Sequence, residues 1–119
     1  MAKILPLFDI HLPIKKSLST VKKELANLYT ADVETASEIL KYLSESEGKL
    51  IRPALVLLAS YNKQQEAIGL ASAVELIHIA SLLHDDVIDG ADLRRGREAI
   101  NAKWGEKWAV LVGDFLLST

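Results

Sequence analysis

Residues 84–97 read HDDVIDGADLRRGR and bring two sets of opposite charge together. Asp85, Asp86 and Asp89 fall within five residues at the end of an apolar run, and three arginines follow at positions 94, 95 and 97. Like charges at such short spacing repel one another unless a counter-charge neutralises them. The stretch therefore indicates a bound species that lies between the carboxylates and the guanidinium groups.

The spacing of the aspartates indicates a magnesium site. In a helix, Asp85 and Asp89 lie on one face, roughly 6 Å apart along the axis, and Asp86 points about 100° away. Magnesium accepts one or two carboxylates together with water and phosphate oxygens, and these side chains are hard oxygen ligands of that kind. A solvated acidic helix end is the alternative interpretation. The helix dipole, however, favours acidic residues at the N-terminal end, and these stand at the C-terminal end.

Basic residues supply the other half of a diphosphate site. Arg94, Arg95 and Arg97 follow the aspartates in a glycine-flanked loop, and an arginine fork binds phosphate oxygens two at a time. Lys49 and Arg52 flank a turn in GKLIRP, from which both can project at the start of a helix. We therefore expect magnesium and a diphosphate between the aspartates and the arginines.

A calcium-binding loop does not fit the stretch. A loop that began at Asp85 would place Val87 at its third position and Gly96 at its twelfth. Neither side chain can bind the ion, so this class of site is excluded.

A phosphohydrolase of the histidine–aspartate type is a weaker alternative. It would use His84 and Asp85 with a distant histidine and aspartate, for which His78 and Asp114 are available. His78 lies on the same predicted helix as His84, whereas those enzymes use separate helices.

The composition restricts the class of protein. The 119 residues are 50% hydrophobic and 25% charged, which is typical of a globular domain. The sequence has no cysteine for disulfides, thiolate metal sites or nucleophiles, and a net charge of −2 gives no indication of nucleic-acid binding. The opening MAKILPLFDIHLPIKK lacks the long apolar core of a signal peptide, and no uninterrupted apolar run approaches the ~20 residues of a membrane span. We therefore expect a cytoplasmic protein without a membrane span.

Apolar residues recur at three- and four-residue spacing, which predicts an all-α helical bundle. The expected helices run from about 14 to 29, from a cap at Thr30 or Asp32 to Ser44, from a first turn with Pro53 through ALVLLASY, from about 64 to 89, and from near Lys107 onward. The fourth is small or apolar nearly all the way round, as in a helix buried at a bundle centre. Residues 90–106 read as a loop. The last helix has no capping signal, so we expect the chain to be part of something larger.

These motifs resemble those of the trans-isoprenyl diphosphate synthases. HDDVIDGADLRRGR looks like the first aspartate-rich motif of that family, DDxxD followed by paired arginines. GKLIRP resembles its GKxxRP motif, and NAKWGEKWAVLVGDFLL resembles the segment that follows. The similarity runs from about residue 45 to the end and is greatest to the long-chain polyprenyl type. It implies the N-terminal portion of the isoprenoid synthase fold, in an enzyme that condenses isopentenyl diphosphate with an allylic diphosphate.

The resemblance also implies roles for individual residues. Asp85 and Asp89 would bind the Mg²⁺ that bridges the allylic diphosphate, Asp86 would support the cluster, and Arg94 would contact that diphosphate. The remaining matched positions, which would hold isopentenyl diphosphate, are Lys49, Arg52, His78 and Arg95.

Family members are much longer than this chain, and their second aspartate-rich motif would lie beyond Thr119. The resemblance therefore implies that residues 1–119 are the N-terminal part of a synthase domain and carry half of an active site. A half-bundle should expose an apolar face, so we also expect self-association, as a homo-oligomer or with the absent C-terminal part. A non-catalytic binding or regulatory subunit of a complete synthase is the alternative, although such a subunit would not need to keep the aspartates.

The length of the product would be set along the central helix. Ser81 and Ala80 stand four and five residues before Asp85, at the level where short-product members of the family often carry an aromatic residue, and here both are small. Ile77 and Val74 are the next residues down that could block a tunnel. We therefore expect long polyprenyl products. Tight helix packing is the other reason for small residues at these positions.

Overall fold

The described part of the chain forms six α-helices and one short β-hairpin. A computed structural model describes residues 12–29, 33–45 and 49–119. The elements in chain order are a 3₁₀ turn Leu12–Ile14, α1 (Lys15–Leu28), α2 (Glu34–Glu45), α3 (Ile51–Ala59), a 3₁₀ turn Tyr61–Lys63, α4 (Gln64–Asp89), β1 (Leu93–Arg94), β2 (Arg97–Glu98), α5 (Ile100–Trp104) and α6 (Glu106–Ser118). The prediction of an all-α fold is confirmed.

The helix boundaries follow the apolar periodicity of the sequence. The four longest helices begin and end close to the predicted positions. Pro53 is the third residue of α3, where its missing N–H is no loss because the first N–H groups of a helix have no partner within it. Thr30 and Asp32, the predicted caps of α2, lie outside the described residues.

Most of the other helices pack against α4. It contacts α1, α3 and α6, and the hydroxyl of Ser72 donates to Glu24 Oε2 of α1 at 2.9 Å. Its buried side consists mainly of small and aliphatic residues, namely Ala67, Ile68, Ala71, Leu76, Ala80 and Leu83. Small side chains at a contact allow close approach of helix axes, so α4 can be central to three neighbours at once.

The opposite side of α4 is exposed, so the expectation of a helix buried all the way round is wrong for this chain. Leu70 is 60% exposed and Ile77 is 57% exposed. The helix also meets, by length and composition alone, the criterion for a membrane span, with a mean hydropathy of 1.6 over an 18-residue window that is 44% buried. The sequence, in which no uninterrupted apolar run is that long, predicts no membrane span. The core helix of a protein without a membrane passes the same test, so this property is weak evidence of a span.

Residues 90–106 are not a simple loop, as the sequence suggested, but a hairpin followed by α5. Gly90 ends α4 in the left-handed conformation at φ 64°, and its N–H lies 3.3 Å from Val87 O. Glycine commonly closes a helix in this way. Strands of two residues are too short to display alternation, and a helix of five residues is too short to display a helical period. Pattern alone therefore missed both elements.

The hairpin turns through Arg95 and Gly96, which have φ values of 55° and 77°. A two-residue loop with positive φ at both positions matches the twist of the strands, but it favours glycine or asparagine. At such a position a side chain with a Cβ atom costs roughly 1–2 kcal/mol. The backbone at Arg95 is therefore strained.

We expect Arg95→Gly to be more stable than Arg95→Ala by roughly 0.5–1 kcal/mol. Both variants lose the guanidinium group, but only glycine adopts the positive φ without strain. Urea denaturation followed by circular dichroism would measure the difference. Equal stabilities, or a more stable alanine variant, would contradict the strained turn.

Candidate functional site

The three aspartates at the end of α4 separate into an outward pair and one inward residue. Asp85 and Asp89 are exposed, whereas Asp86 is only 3% exposed. Successive residues of a helix are about 100° apart, which turns Asp86 to the core while the other two share the outer side.

Arg94 of β1 binds Asp86 through two nitrogen atoms. Its Nε donates to Asp86 Oδ2 at 3.1 Å, and its Nη2 donates to Asp86 Oδ1. The hydrogen bond to Asp86 raises the pKa of Arg94, and the nearby aspartate charges act in the same direction against the effect of burial. A charged fork of this kind compensates a carboxylate for the loss of water. Asp86 therefore fastens the hairpin to α4, and its oxygens are engaged away from the outward pair.

Asn101 of α5 closes the turn that follows the aspartates. Its Nδ2 donates to Ala91 O at 2.8 Å and lies 3.4 Å from Asp86 O. The N–H of Ala99 reaches Asp92 O at 2.8 Å across the base of the hairpin. Sequence reasoning included Asn101 only within the segment NAKWGEK and assigned it no role. Its two contacts are between residues ten or more positions apart, which a pattern does not reveal.

Arg52 of α3 and His78 of α4 form a second contact of the site. Arg52 Nη1 lies 3.2 Å from His78 Nε2, and a guanidinium group can only donate, so the histidine nitrogen accepts. Burial lowers the pKa of His78, and the positive charges of Arg52, Arg95 and Arg94 lower it further. His78 is therefore neutral near pH 7, with its proton on Nδ1. Lys49, the other predicted basic residue of this segment, is exposed.

A cavity of about 320 Å³ lies between α1, α2, α4 and the hairpin, and Tyr29, Glu75 and Arg95 are among the residues that line it. Glu75 is only 4% exposed. Burial raises the pKa of Glu75, whereas Arg95 and then Arg52 lower it. Burial and the charge of Glu75 also raise the pKa of Tyr29. Sequence reasoning missed Glu75, although a lone acidic residue inside the apolar run ASAVELIHIASLL is a signal that could have found it.

The histidine–aspartate alternative is not supported by the positions of its residues. His84 Nε2 lies 3.4 Å from Asp114 Oδ1 and 3.2 Å from Val110 O, so His84 contacts α6. His78 contacts Arg52 of α3 instead. The two histidines therefore belong to different surroundings and do not form one cluster.

The outward carboxylates fit a magnesium ion that completes its coordination elsewhere. Within residues 12–29, 33–45 and 49–119, no group of three or more His, Cys, Asp or Glu side chains could hold a metal ion. Asp85 and Asp89 offer two carboxylates, and magnesium commonly takes one or two together with water and phosphate oxygens. The pair therefore suits a metal shared with a diphosphate and does not suit a self-contained structural site.

The four residues expected to control product length differ in their surroundings. Ser81, one turn before Asp85, is exposed, and so is Ile77, while Val74 is partly buried. Ala80 is 0% exposed and belongs to the core. Ala80 and Ser81, about 100° apart on the helix, therefore have different surroundings in this chain.

Comparisons with known proteins all identify the same family. A family model described as polyprenyl synthetase matches residues 33–119. The heptaprenyl diphosphate synthase component 2 of Geobacillus stearothermophilus is 43% identical over 108 residues, covering 88% of this chain and 34% of that protein. The octaprenyl diphosphate synthase of Escherichia coli is 36% identical over 104 residues, covering 85% of this chain and 32% of that protein. The chain thus spans about a third of the length of these relatives.

Solved structures agree with this assignment. A polyprenyl synthase from Caulobacter crescentus, complexed with calcium and isoprenyl diphosphate, has a TM-score of 0.90 at 33% identity and is matched over 99% of this chain and 37% of its own. A decaprenyl diphosphate synthase from Rhodobacter capsulatus has a TM-score of 0.80 at 33% identity, over 95% of this chain and 36% of its own. The match of sequence and fold shows that the chain belongs to the polyprenyl synthetase family and has part of the isoprenoid synthase fold.

Proposed function

We propose that this chain supplies the first aspartate-rich half of a trans-polyprenyl diphosphate synthase, which condenses isopentenyl diphosphate with an allylic diphosphate. The observation that carries the proposal is the outward pair Asp85 and Asp89 beside a hairpin fastened through Asp86 and Arg94. The names of the relatives, hepta- and octaprenyl diphosphate synthases, support a long-chain product.

Asp85 and Asp89 would hold magnesium together with the diphosphate of the allylic substrate. The bound metal would supply Lewis-acid stabilisation of the departing diphosphate. In the proposed reaction the allylic C–O bond breaks and the diphosphate leaves with the electron pair. The double bond of isopentenyl diphosphate then forms a C–C bond with the allylic carbon, and a proton is lost.

Lys49, Arg52, His78 and Arg95 would bind isopentenyl diphosphate. Because Arg52 donates to His78 Nε2, the imidazole orients the guanidinium group and keeps its own proton on Nδ1. The Nδ1–H of this neutral histidine would donate a hydrogen bond to a phosphate oxygen. The charge that attracts the anion would come from the lysine and the arginines.

A subunit that works with a separate partner is the second candidate. The Geobacillus relative is named component 2 of its synthase, which favours an assembly of more than one chain for that protein. Exposed apolar residues on α4 and α6, such as Ile77 and Leu111, support an apolar partner surface. A purely regulatory role is less favoured, because it would not require the outward Asp85 and Asp89.

Removal of either outward carboxylate should abolish magnesium-dependent binding of an allylic diphosphate. Asp85→Ala and Asp89→Ala each remove one of two proposed ligands, so the affinity measured by calorimetry with Mg²⁺ should fall at least about tenfold, or about 1.4 kcal/mol. Asp92→Ala is the matched control, since Asp92 is a nearby exposed aspartate outside α4. If both ligand variants bind as tightly as the control, the metal assignment is wrong.

The 119-residue chain alone should show negligible condensation. Two carboxylates do not complete a metal shell, and the chain spans about a third of its relatives. The measurement is incorporation of labelled isopentenyl diphosphate into a prenyl product. Robust turnover by purified protein of verified mass would refute the half-site proposal.

Ser81→Phe should shorten the product of a complete enzyme, whereas Ala80→Phe should destabilise it. A chimera that joins this chain to the remainder of the Geobacillus relative would provide the complete enzyme. The exposed Ser81 can carry a ring into a channel below Asp85, but a ring at the buried Ala80 must displace packed core atoms. Product chromatography and thermal denaturation measure the two effects. Parent-length products from an active Ser81→Phe enzyme would show that no channel runs along this side.

A further inference from the structure

The ring of Tyr42, on α2, contacts residues of both the hairpin and α5. The guanidinium carbon of Arg97 lies 3.9 Å from the ring centroid, and Lys103 Nζ lies 4.5 Å from it. The Trp104 ring meets the Tyr42 ring edge-on, at 5.0 Å between centroids and an interplanar angle of 74°. Cations over an aromatic face and edge-to-face rings are both favourable geometries.

Hydrogen bonds attach the same residue to β2. The Tyr42 hydroxyl donates to Glu98 O at 2.9 Å, and Arg97 Nη1 donates to Tyr42 O at 3.4 Å. Arg97 Nη2 also lies 3.6 Å from Glu45 Oε2, one turn further along α2. Both residues of β2 are therefore held by α2, through the ring, the hydroxyl and the backbone of Tyr42.

The pairing of β1 with β2 connects the contacts of Tyr42 to Arg94 and Arg95. Arg97 pairs with Arg94 and Glu98 pairs with Leu93, so the anchored strand lies directly beside the strand that binds Asp86. Arg95 stands in the connecting turn at positive φ. Two strands of two residues are too short to be stable by themselves, and a strained turn needs support from outside.

We propose that Tyr42 is a positioning residue for Arg95, the proposed diphosphate-binding residue in the turn of the hairpin, a role that rests on the proposed function above. The Asp86 contact fixes β1 from one side, and Tyr42 fixes β2 from the other. Without the ring, β2 would lose the cation contacts and the Glu98 hydrogen bond together. The turn at Arg95 would then relax toward conformations in which its guanidinium group leaves its place among the residues that line the cavity.

The test is binding of isopentenyl diphosphate, the ligand proposed for Arg95, measured by calorimetry on the 119-residue chain. Tyr42→Leu removes the ring, whereas Tyr42→Phe keeps the ring and loses only the hydroxyl. We expect Tyr42→Leu to weaken binding about tenfold and Tyr42→Phe to weaken it no more than about threefold. Both variants should melt cooperatively, so that a loss of affinity is not a loss of fold.

A merely structural role is distinguished by repeating the comparison in an Arg95→Ala background. If Tyr42 acts through Arg95, Tyr42→Leu should cause little further loss of affinity in the Arg95→Ala variant. An unchanged affinity in Tyr42→Leu, or an equal loss in both backgrounds, would overturn the proposal.

Hydrogen exchange gives a readout that does not depend on the ligand. Backbone amides of residues 93–98 should exchange faster in Tyr42→Leu, while those in the middle of α4 keep their protection. If the parent chain fails to bind isopentenyl diphosphate, the proposed binding role of Arg95 fails, and the positioning role of Tyr42 fails with it only when these hairpin amides are also unchanged. Faster exchange confined to residues 93–98 would support the conclusion that Tyr42 stabilises the hairpin.

Discussion

The two-nitrogen contact between Arg94 and Asp86 is the interaction on which the arrangement of the site depends. A carboxylate removed from water is costly unless it is paired and hydrogen-bonded, and the guanidinium fork meets both needs. The contact keeps Asp86 turned inward, and the helical repeat then leaves Asp85 and Asp89 outward. It also holds β1 against the end of α4, so that Arg95 follows at a fixed place. One pair of side chains therefore determines where the acidic and basic groups of the proposed diphosphate site lie relative to one another.

Backbone strain is concentrated in the two segments that carry the proposed basic ligands. Among the described residues other than glycine, Leu50 and Arg95 have positive φ, 54° and 55°. Conformations of this kind cost on the order of 1–3 kcal/mol and persist where surrounding contacts impose them. Leu50 is buried in the core next to Lys49, and the turn at Arg95 is held through β1 and β2. The stable helices thus support conformations that the two short segments would not adopt alone.

The sequence predicted the elements that have a period and missed those that depend on distant contacts. Long amphipathic segments such as α1 and α4 display a helical repeat, and the 100° rule correctly separated Asp86 from the outward pair. The hairpin is too short to have a pattern, and the ring contacts of Tyr42 join residues more than fifty positions apart. The same rule places Ala80 and Ser81 about 100° apart, which leaves open whether they share a side. What it could not show is which side the neighbouring helices cover.

Helix α4 is apolar on two sides, one buried and one uncovered, which accounts for its high content of apolar residues. A helix that buries one side is normally polar on the other, yet Leu70, Ile77 and Ile88 all lie on the uncovered side of α4. The window of high hydropathy is only 44% buried for the same reason. Relatives about three times as long have more chain with which to cover such a side, and a growing isoprenoid chain is itself apolar. In the proposed enzyme the uncovered side ends at Asp85 and Asp89, so an apolar surface leads directly to the charged groups. The proposed substrate, with a diphosphate head and a hydrocarbon tail, has that same division, so the composition of α4 supports the proposed function.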